Sequence, residues 1–240
     1  MQEIIGGIDI SINCVTNYGY VEQNKTQIIS SNLIFPLELF ELSLALNAKK
    51  FINLDSFVNK KGNSYPKLYD YALSKQSLIL WLQEFSKAIP TSTFRIEHMY
   101  GPKDNPNKFI PWLIQKIVKE RVSELSLSYG YQKRDFIHVD DVADALVHYL
   151  KMDGEEKRKP HTPNADYQEY ELGTTVPHTI KTLVEKVRDL ADSKTNLRFG
   201  NLQESKVEIA SSFSDGVFQK QFNWASKVSL DEGLRKLVSE

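Results

Sequence analysis

Residues 50–85 read "KFINLDSFVNKKGNSYPKLYDYALSKQSLILWLQEF". "KFINLDS" reads as a short strand and ends on Ser56. A polar loop follows, and "YDYALSKQSLILWLQEFSKAI" is a strong helix candidate, with Ala72, Leu73, Leu78, Ile79, Leu82 and Phe85 supplying its apolar side. "TSTFRIEHMYGP" then reads as another strand, running into a Gly101-Pro102 turn. Strand, helix and strand in that order is the unit from which parallel sheets are built.

The same alternation extends in both directions. Upstream, "IDISINCV" reads as a short buried strand, and "SNLIFPLELFELSLALNAKK" has helical apolar spacing with Asn47 where a stop is expected. Downstream, "FIPWLIQKIVKERV" looks helical after Pro111. "RDFIHVDDVADALVHYLK" is a brief strand feeding a helix capped by Asp140 or Asp141. The charged, proline-containing run "DGEEKRKPHTPNAD" reads as an exposed connection, with Glu155–Lys159 a solvated loop. A strand ("YQEYELG"), a helix ("TIKTLVEKVRDLA") and a terminal helix ("SLDEGLRKLVSE") complete the chain. The expected class is α/β, a parallel sheet covered on both faces. Ligands of such sheets bind at the carboxyl ends of the strands. Ser56, Thr16 and His98 all fall at or just beyond such ends, which points to one pocket.

With 240 residues, 41% hydrophobic and 25% charged, the chain can bury a sizeable core. A net charge of −1 and the lack of a basic run argue against nucleic acid or an anionic membrane as partner. No uninterrupted apolar run reaches the span of a bilayer, and "MQEIIGGIDI" lacks the layout of a signal peptide, so the cytoplasm is the expected location. Cys14, the sole cysteine, reads as a buried small apolar residue. His138 reads as packed within its strand. His148, His161 and His178 have no metal-ligand spacing, so no metal is expected. Trp81, Leu82 and Phe85 read as helix packing or a dimer seam.

Tyr71 and Lys75 are four apart and share one helix face. A nearby ammonium stabilises phenolate, and a serine hydroxyl from a strand end could hold a substrate oxygen against the phenol. The trio suits proton transfer to a carbonyl, or from an alcohol, coupled to hydride transfer. Tyr-x-x-x-Lys recurs often by chance, so spacing alone favours an ordinary surface helix after a serine-ended turn.

Several separate blocks, in order, resemble the extended, nucleotide-sugar-modifying branch of the short-chain dehydrogenase/reductase superfamily. They are "YALSK" behind a strand-end serine, "NLIFPLELFELSL", "FRIEHMYGP", "QKRDFIHVDDVADAL", "YELGTTVPHTIKTLVEKV" and "FNWASKVSLDEGLRKLV". The resemblance implies a Rossmann-like parallel sheet with flanking helices, its N-terminal strands missing, plus a small α/β substrate-binding lobe. Residues 1–103 and 132–160 would form the truncated dinucleotide-binding part, and 104–131 and 161–240 the nucleotide-sugar lobe. Tyr71 would be the acid/base, Lys75 would bind the nicotinamide ribose, and Ser56 would orient the reacting oxygen. Thr16 and Asn32 would line the cofactor site. Arg134 would pair with the substrate diphosphate, a role its fork suits. His98, which stands where the branch has an Asn, and Phe109 would contact substrate. The cofactor implied is NADP or NAD, with NADPH favoured by analogy, and the assembly implied is a homodimer.

Dehydratases of this branch follow their hydroxyl residue with Asp-Glu, whereas Ser56 is followed by Phe57-Val58, and only 15 positions separate Ser56 from Tyr71. The short loop, "RIEHMYGP" and "NKFIPWLI" look like the branch's CDP-abequose and CDP-paratose synthases, which reduce the 4-keto group of a CDP-4-keto-3,6-dideoxyhexose. A nucleotide-sugar 4-epimerase is the runner-up. A third reading is a non-catalytic nucleotide-sugar-binding remnant, because the Gly-x-x-Gly-x-x-Gly turn that holds a dinucleotide pyrophosphate does not occur in this sequence. A purely structural interaction protein has only an expected exposed sheet side to support it.

Overall fold

The computed structural model describes residues 7–19, 24–60, 66–153, 167–203 and 209–239. The connection at 154–166, which includes His161, and the loop centre at 61–65 lie outside the described residues. The described residues fall into two compact units, those within 1–96 and 158–171 and those within 97–157 and 172–240. The strand and helix of "RDFIHVDDVADALVHYLK" therefore group with the second unit.

In the first unit β1 (Ile10–Asn13), β2 (Lys50–Ser56) and β3 (Thr91–Ile96) run parallel, and β7 (Tyr167–Leu172) completes a sheet ordered β1-β2-β3-β7. β2 is buried almost throughout, as expected of a central strand with covered faces. β1 is an outer strand, and its Ile10 and Ile12 are 39% and 38% exposed. For that reason Cys14, just beyond it, is exposed and not the buried residue expected from sequence.

Helix α3 (Tyr69–Phe85) buries Tyr71, Ser74, Lys75, Leu78, Ile79 and Leu82. Leu73, expected inside, is half exposed, because the buried stripe follows Tyr71, Lys75, Leu78 and Leu82 at helical spacing. Leu78, Ile79 and Leu82 pack with Phe40, Phe51, Ile89 and Tyr167 in one core.

Beside α3, α1 (Lys25–Ile29) is capped by Asn24, whose side chain accepts from Thr26 N–H at 2.7 Å. It passes through a wider turn at Ser30–Ile34 into α2 (Phe35–Ala45). The helix stops as expected at Asn47, whose φ of 57° lets Ala48 N–H reach Ser43 O and Asn47 N–H reach Leu44 O. The combined helix Lys25–Ala45 is, with a mean hydropathy of 1.4, long and apolar enough to cross a membrane by length and composition, contrary to the sequence reading. Phe40 is nevertheless in the core, and Asn32 and Ser43 are buried and hydrogen-bonded.

In the second unit β6 (Lys133–His138) lies between the short parallel strands β4 (His98–Tyr100) and β10 (Ser211–Ser212), with β8 (Pro177–Thr179) antiparallel to it. A separate parallel pair joins β5 (Glu124–Leu127) to β9 (Asn196–Phe199). Helices α4 (Phe109–Ile114), α6 (Ile180–Leu190) and α8 (Leu230–Ser239) close a core around Leu113, Ile117, Leu183, Val187 and Leu234. Helix α7 (Val217–Phe222) packs its Phe222 on Tyr149 of α5 (Val139–Asp153).

Asp140 and Asp141 sit inside the first turn of α5 and are not its cap. The Asp140 N–H donates to His138 Nδ1, and the Asp141 carboxylate accepts from the N–H groups of Lys227 and Val228. A tertiary partner thus claims the carboxylate that the local pattern assigned to the helix end. His138 is packed, at 1% exposed.

Candidate active site

Three hydroxyls meet in the first unit. Ser56 ends β2, Tyr71 opens the buried face of α3, and Thr16 follows β1; the side chains of Thr16 and Ser56 both hydrogen-bond the Tyr71 phenol. Ser56 also accepts from Val58 N–H at 3.3 Å, so it is both the end of a turn and a neighbour of the phenol. Tyr71 is only 2% exposed, and burial, with Tyr18 and Asp55 adding to it, holds its phenol well above the usual tyrosine range. The lowering expected from Lys75 is not what the structure shows, because the ammonium points elsewhere. Lys75 Nζ donates to Leu54 O at 2.9 Å and to Val15 O at 3.3 Å. Burial lowers its pKa, opposed by Asp55 and by Cys14.

Asp55 had no place in the sequence reading. It is 5% exposed and faces Arg95 across the β2–β3 ladder, with Arg95 Nε 3.4 Å from Oδ2 and Asn59 donating to Oδ1 at 2.9 Å. Its carboxyl is raised by burial and pulled back down by Lys75. Its position next to Ser56 at a strand end was the signal available.

Asn32 is fully buried in the wide turn. Its Oδ1 accepts from Asn17 N–H at 2.7 Å, and its Nδ2 donates to Asn17 O at 2.9 Å and to Ser74 Oγ at 3.1 Å. It ties the segment after β1 to α3.

His98 and Arg134 come together in the second unit. His98 opens β4, lies edge-on to Phe136, and has Nδ1 3.6 Å from Glu97 Oε2. Burial lowers its pKa, which Glu97 opposes and Arg134 reinforces. Glu97, also unforeseen, is 2% exposed and accepts from Ser212 Oγ at 2.9 Å. Arg134 is 4% exposed and donates to Lys133 O at 2.8 Å. Phe109 begins α4 and stacks on Trp112. No group of three or more His, Cys, Asp or Glu that could hold a metal occurs among the described residues.

The pattern of the NAD dependent epimerase/dehydratase family matches residues 1–165. The chain belongs to that family. This epimerase/dehydratase chain is 30% identical over 231 residues to the CDP-abequose synthase of Salmonella typhimurium strain LT2, covering 95% of this chain and 74% of that one. It is 29% identical over 234 residues to the CDP-abequose synthase of Salmonella muenchen, covering 95% and 75%. Among solved structures it is similar to the UDP-N-acetylglucosamine 4-epimerase of Methanobrevibacter ruminantium M1, with a TM-score of 0.78 and 21% identity, covering 96% of this chain and 76% of that one. The Rossmann-like α/β fold and membership of an NAD(P)-dependent enzyme family follow.

The residues present fit one end of a nicotinamide dinucleotide. Lys75 offers a buried ammonium held by two carbonyls, the kind of donor a ribose hydroxyl can engage, beside a tyrosine on the same face.

Proposed function

We propose that this chain reduces the 4-keto group of a CDP-4-keto-3,6-dideoxyhexose in the synthesis of O-antigen sugars. The observation that carries the reading is the Tyr71 phenol held between the Thr16 and Ser56 hydroxyls, on the helix face it shares with Lys75. A bound nicotinamide dinucleotide, NADPH by analogy, supplies hydride to the ketone carbon. Ser56 holds the ketone oxygen, and Tyr71 gives that oxygen its proton, so the carbonyl becomes a hydroxyl. The phenol carries its proton at neutral pH, as the donor in a reduction must, although burial makes it a weaker acid than a free tyrosine. After donation, the Thr16 and Ser56 hydroxyls can turn to donate to the phenolate. Lys75 would hold the ribose. His98 and Arg134 would receive the substrate diphosphate, with Phe109 beside the sugar nucleotide.

Phe57-Val58 in place of Asp-Glu weighs against dehydration. The runner-up, a 4-epimerase, uses the same trio and keeps its cofactor, but must first remove a proton from the sugar hydroxyl before returning it. We place the enzyme in the cytoplasm as a homodimer, an assembly that the exposed Leu73, Leu80 and Trp81 on α3 suit.

Separate calorimetric titrations with a CDP-sugar and with NADPH, followed by assay of NADPH consumption, test the reading. Both should bind, and Tyr71→Phe should cut turnover by about 10²–10⁴-fold while CDP-sugar affinity is retained. Unchanged turnover in Tyr71→Phe would sink the assignment. Binding of the CDP-sugar without NADPH would replace it with the binding-remnant reading.

A further inference from the structure

The segment after β1 places a second aromatic ring on Tyr71. Tyr18 stacks on it with ring centroids 4.7 Å apart and planes 24° from parallel. Face-to-face packing at that distance fixes the orientation of both rings. Tyr18 is itself held from behind. Asn32 clamps both the N–H and the carbonyl of Asn17, the residue before it, and Gly19, the residue after it, donates to Asn17 Oδ1 at 3.0 Å with a φ of 70°. The Asn32 Nδ2 also donates to Ser74 Oγ, and Ser74 Oγ donates to Tyr71 O at 2.8 Å. A closed chain of contacts therefore runs from Tyr71 through Ser74, Asn32 and Asn17 to Tyr18 and back onto the Tyr71 ring. Within this chain Thr16 sets its hydroxyl on the phenol oxygen.

We propose that Tyr18 is a positioning residue for Tyr71: its ring packs on the phenol's face, sets its direction toward Ser56 and keeps water off it. Asn32 locks Tyr18 in place. The cover lies on the ring face, leaving Tyr71 2% exposed, while the oxygen is turned to the two hydroxyls where a reacting oxygen would sit. The catalytic part of this inference rests on the reductase reading above. The packing part does not.

The test is hydroxyl-radical footprinting of the whole chain, with Tyr71 and Tyr69 resolved by fragmentation of their shared peptide. In the wild type Tyr71 should be protected relative to the exposed Tyr69. Tyr18→Ala should raise Tyr71 labelling by about tenfold, the upper range for losing one aromatic pair, and Tyr18→Phe should leave it unchanged. Asn32→Ala should raise labelling similarly, and adding it to Tyr18→Ala should raise it little further, because both release the same contact. If Tyr18→Ala fails to fold, Tyr18→Leu keeps the volume without the stacking ring. Tyr71 labelled equally in the wild type and in a folded Tyr18→Ala or Tyr18→Leu would overturn the proposal. Where the wild type turns over, Tyr18→Ala should lower kcat by about tenfold and Tyr18→Phe should restore it, with KM for the CDP-sugar little moved in either. A KM effect alone would overturn the positioning role. Wild-type protein without turnover would defeat the reductase reading and leave the footprint to decide Tyr18.

Discussion

Asp135 is fully buried on β6, and its carboxylate is surrounded by donors. Oδ1 accepts from Thr174 N–H at 2.8 Å and Thr174 Oγ1 at 2.5 Å. Oδ2 accepts from Thr175 N–H at 2.9 Å, Ser214 N–H at 3.2 Å and Ser214 Oγ at 3.3 Å. It thereby ties the turn after β7 and the segment after β10 to the strand that carries Arg134. Asp135→Asn keeps the shape but offers one acceptor oxygen. The cheaper amide orientation aims that oxygen at Thr175 and Ser214 and strands the Thr174 N–H, while the Thr174 hydroxyl can turn to accept. One stranded buried donor costs about 1–3 kcal/mol, and converting three charge-assisted bonds to neutral ones costs about 1 kcal/mol each, for a total near 5 kcal/mol. In a chain of this size that lowers Tm by on the order of 10 °C. Asp135→Ala strands all three backbone donors and should cost more. Urea unfolding should be followed by fluorescence in a Trp81→Phe background, so that only Trp112 and Trp224 of the second unit report. An Asp135→Asn midpoint within about 1 kcal/mol of the parent, at unchanged m, would refute the reasoning.

Gly233 lies inside α8, where alanine normally stabilises a helix, but a Cβ there would clash with Tyr100 Oη. Gly233→Ala should therefore destabilise by about 1–3 kcal/mol, and Tyr100→Phe should recover part of that loss in the double mutant. Tyr100→Phe alone should be neutral or stabilising in thermal melts, because the buried Oη makes no hydrogen bond among the described residues. His98 titrates below the ordinary histidine range because it is buried, with Glu97 opposing and Arg134 reinforcing the shift, and Asp135 also facing it. The unfolded chain thus binds the proton first, and stability present above about pH 6.5 is lost as the pH falls toward the lowered folded value. His98→Asn should flatten the stability profile over that interval in denaturation series; an unchanged slope would show that His98 does not carry it.

Much of the fold was legible where local pattern and tertiary demand agree. "KFINLDS" is β2 to the residue, Asn47 stops the helix it was expected to stop, and Tyr71 and Lys75 share a face of α3. Reading failed where a distant partner outbid a local one. The Asp141 carboxylate serves Lys227 and Val228, and not the end of its own helix. Leu73 lies outside because Lys75 and Tyr71 take the inside. Strands β5 and β9 pair across more than sixty positions of chain, and neither stood out alone.

The sequence by itself determined the alternation of strands and helices, the family, and the presence of Ser56, Tyr71 and Lys75 at their spacing, because periodicity and motif are properties of neighbours along the chain. Only the tertiary structure decided that Thr16 joins Ser56 on the phenol, that Lys75 points at two carbonyls, and that Tyr18, locked by Asn32, lies on Tyr71. Those contacts join positions far apart in the chain, and the energy that selects them comes from burial and hydrogen bonding that exist only once the sheet and helices have packed.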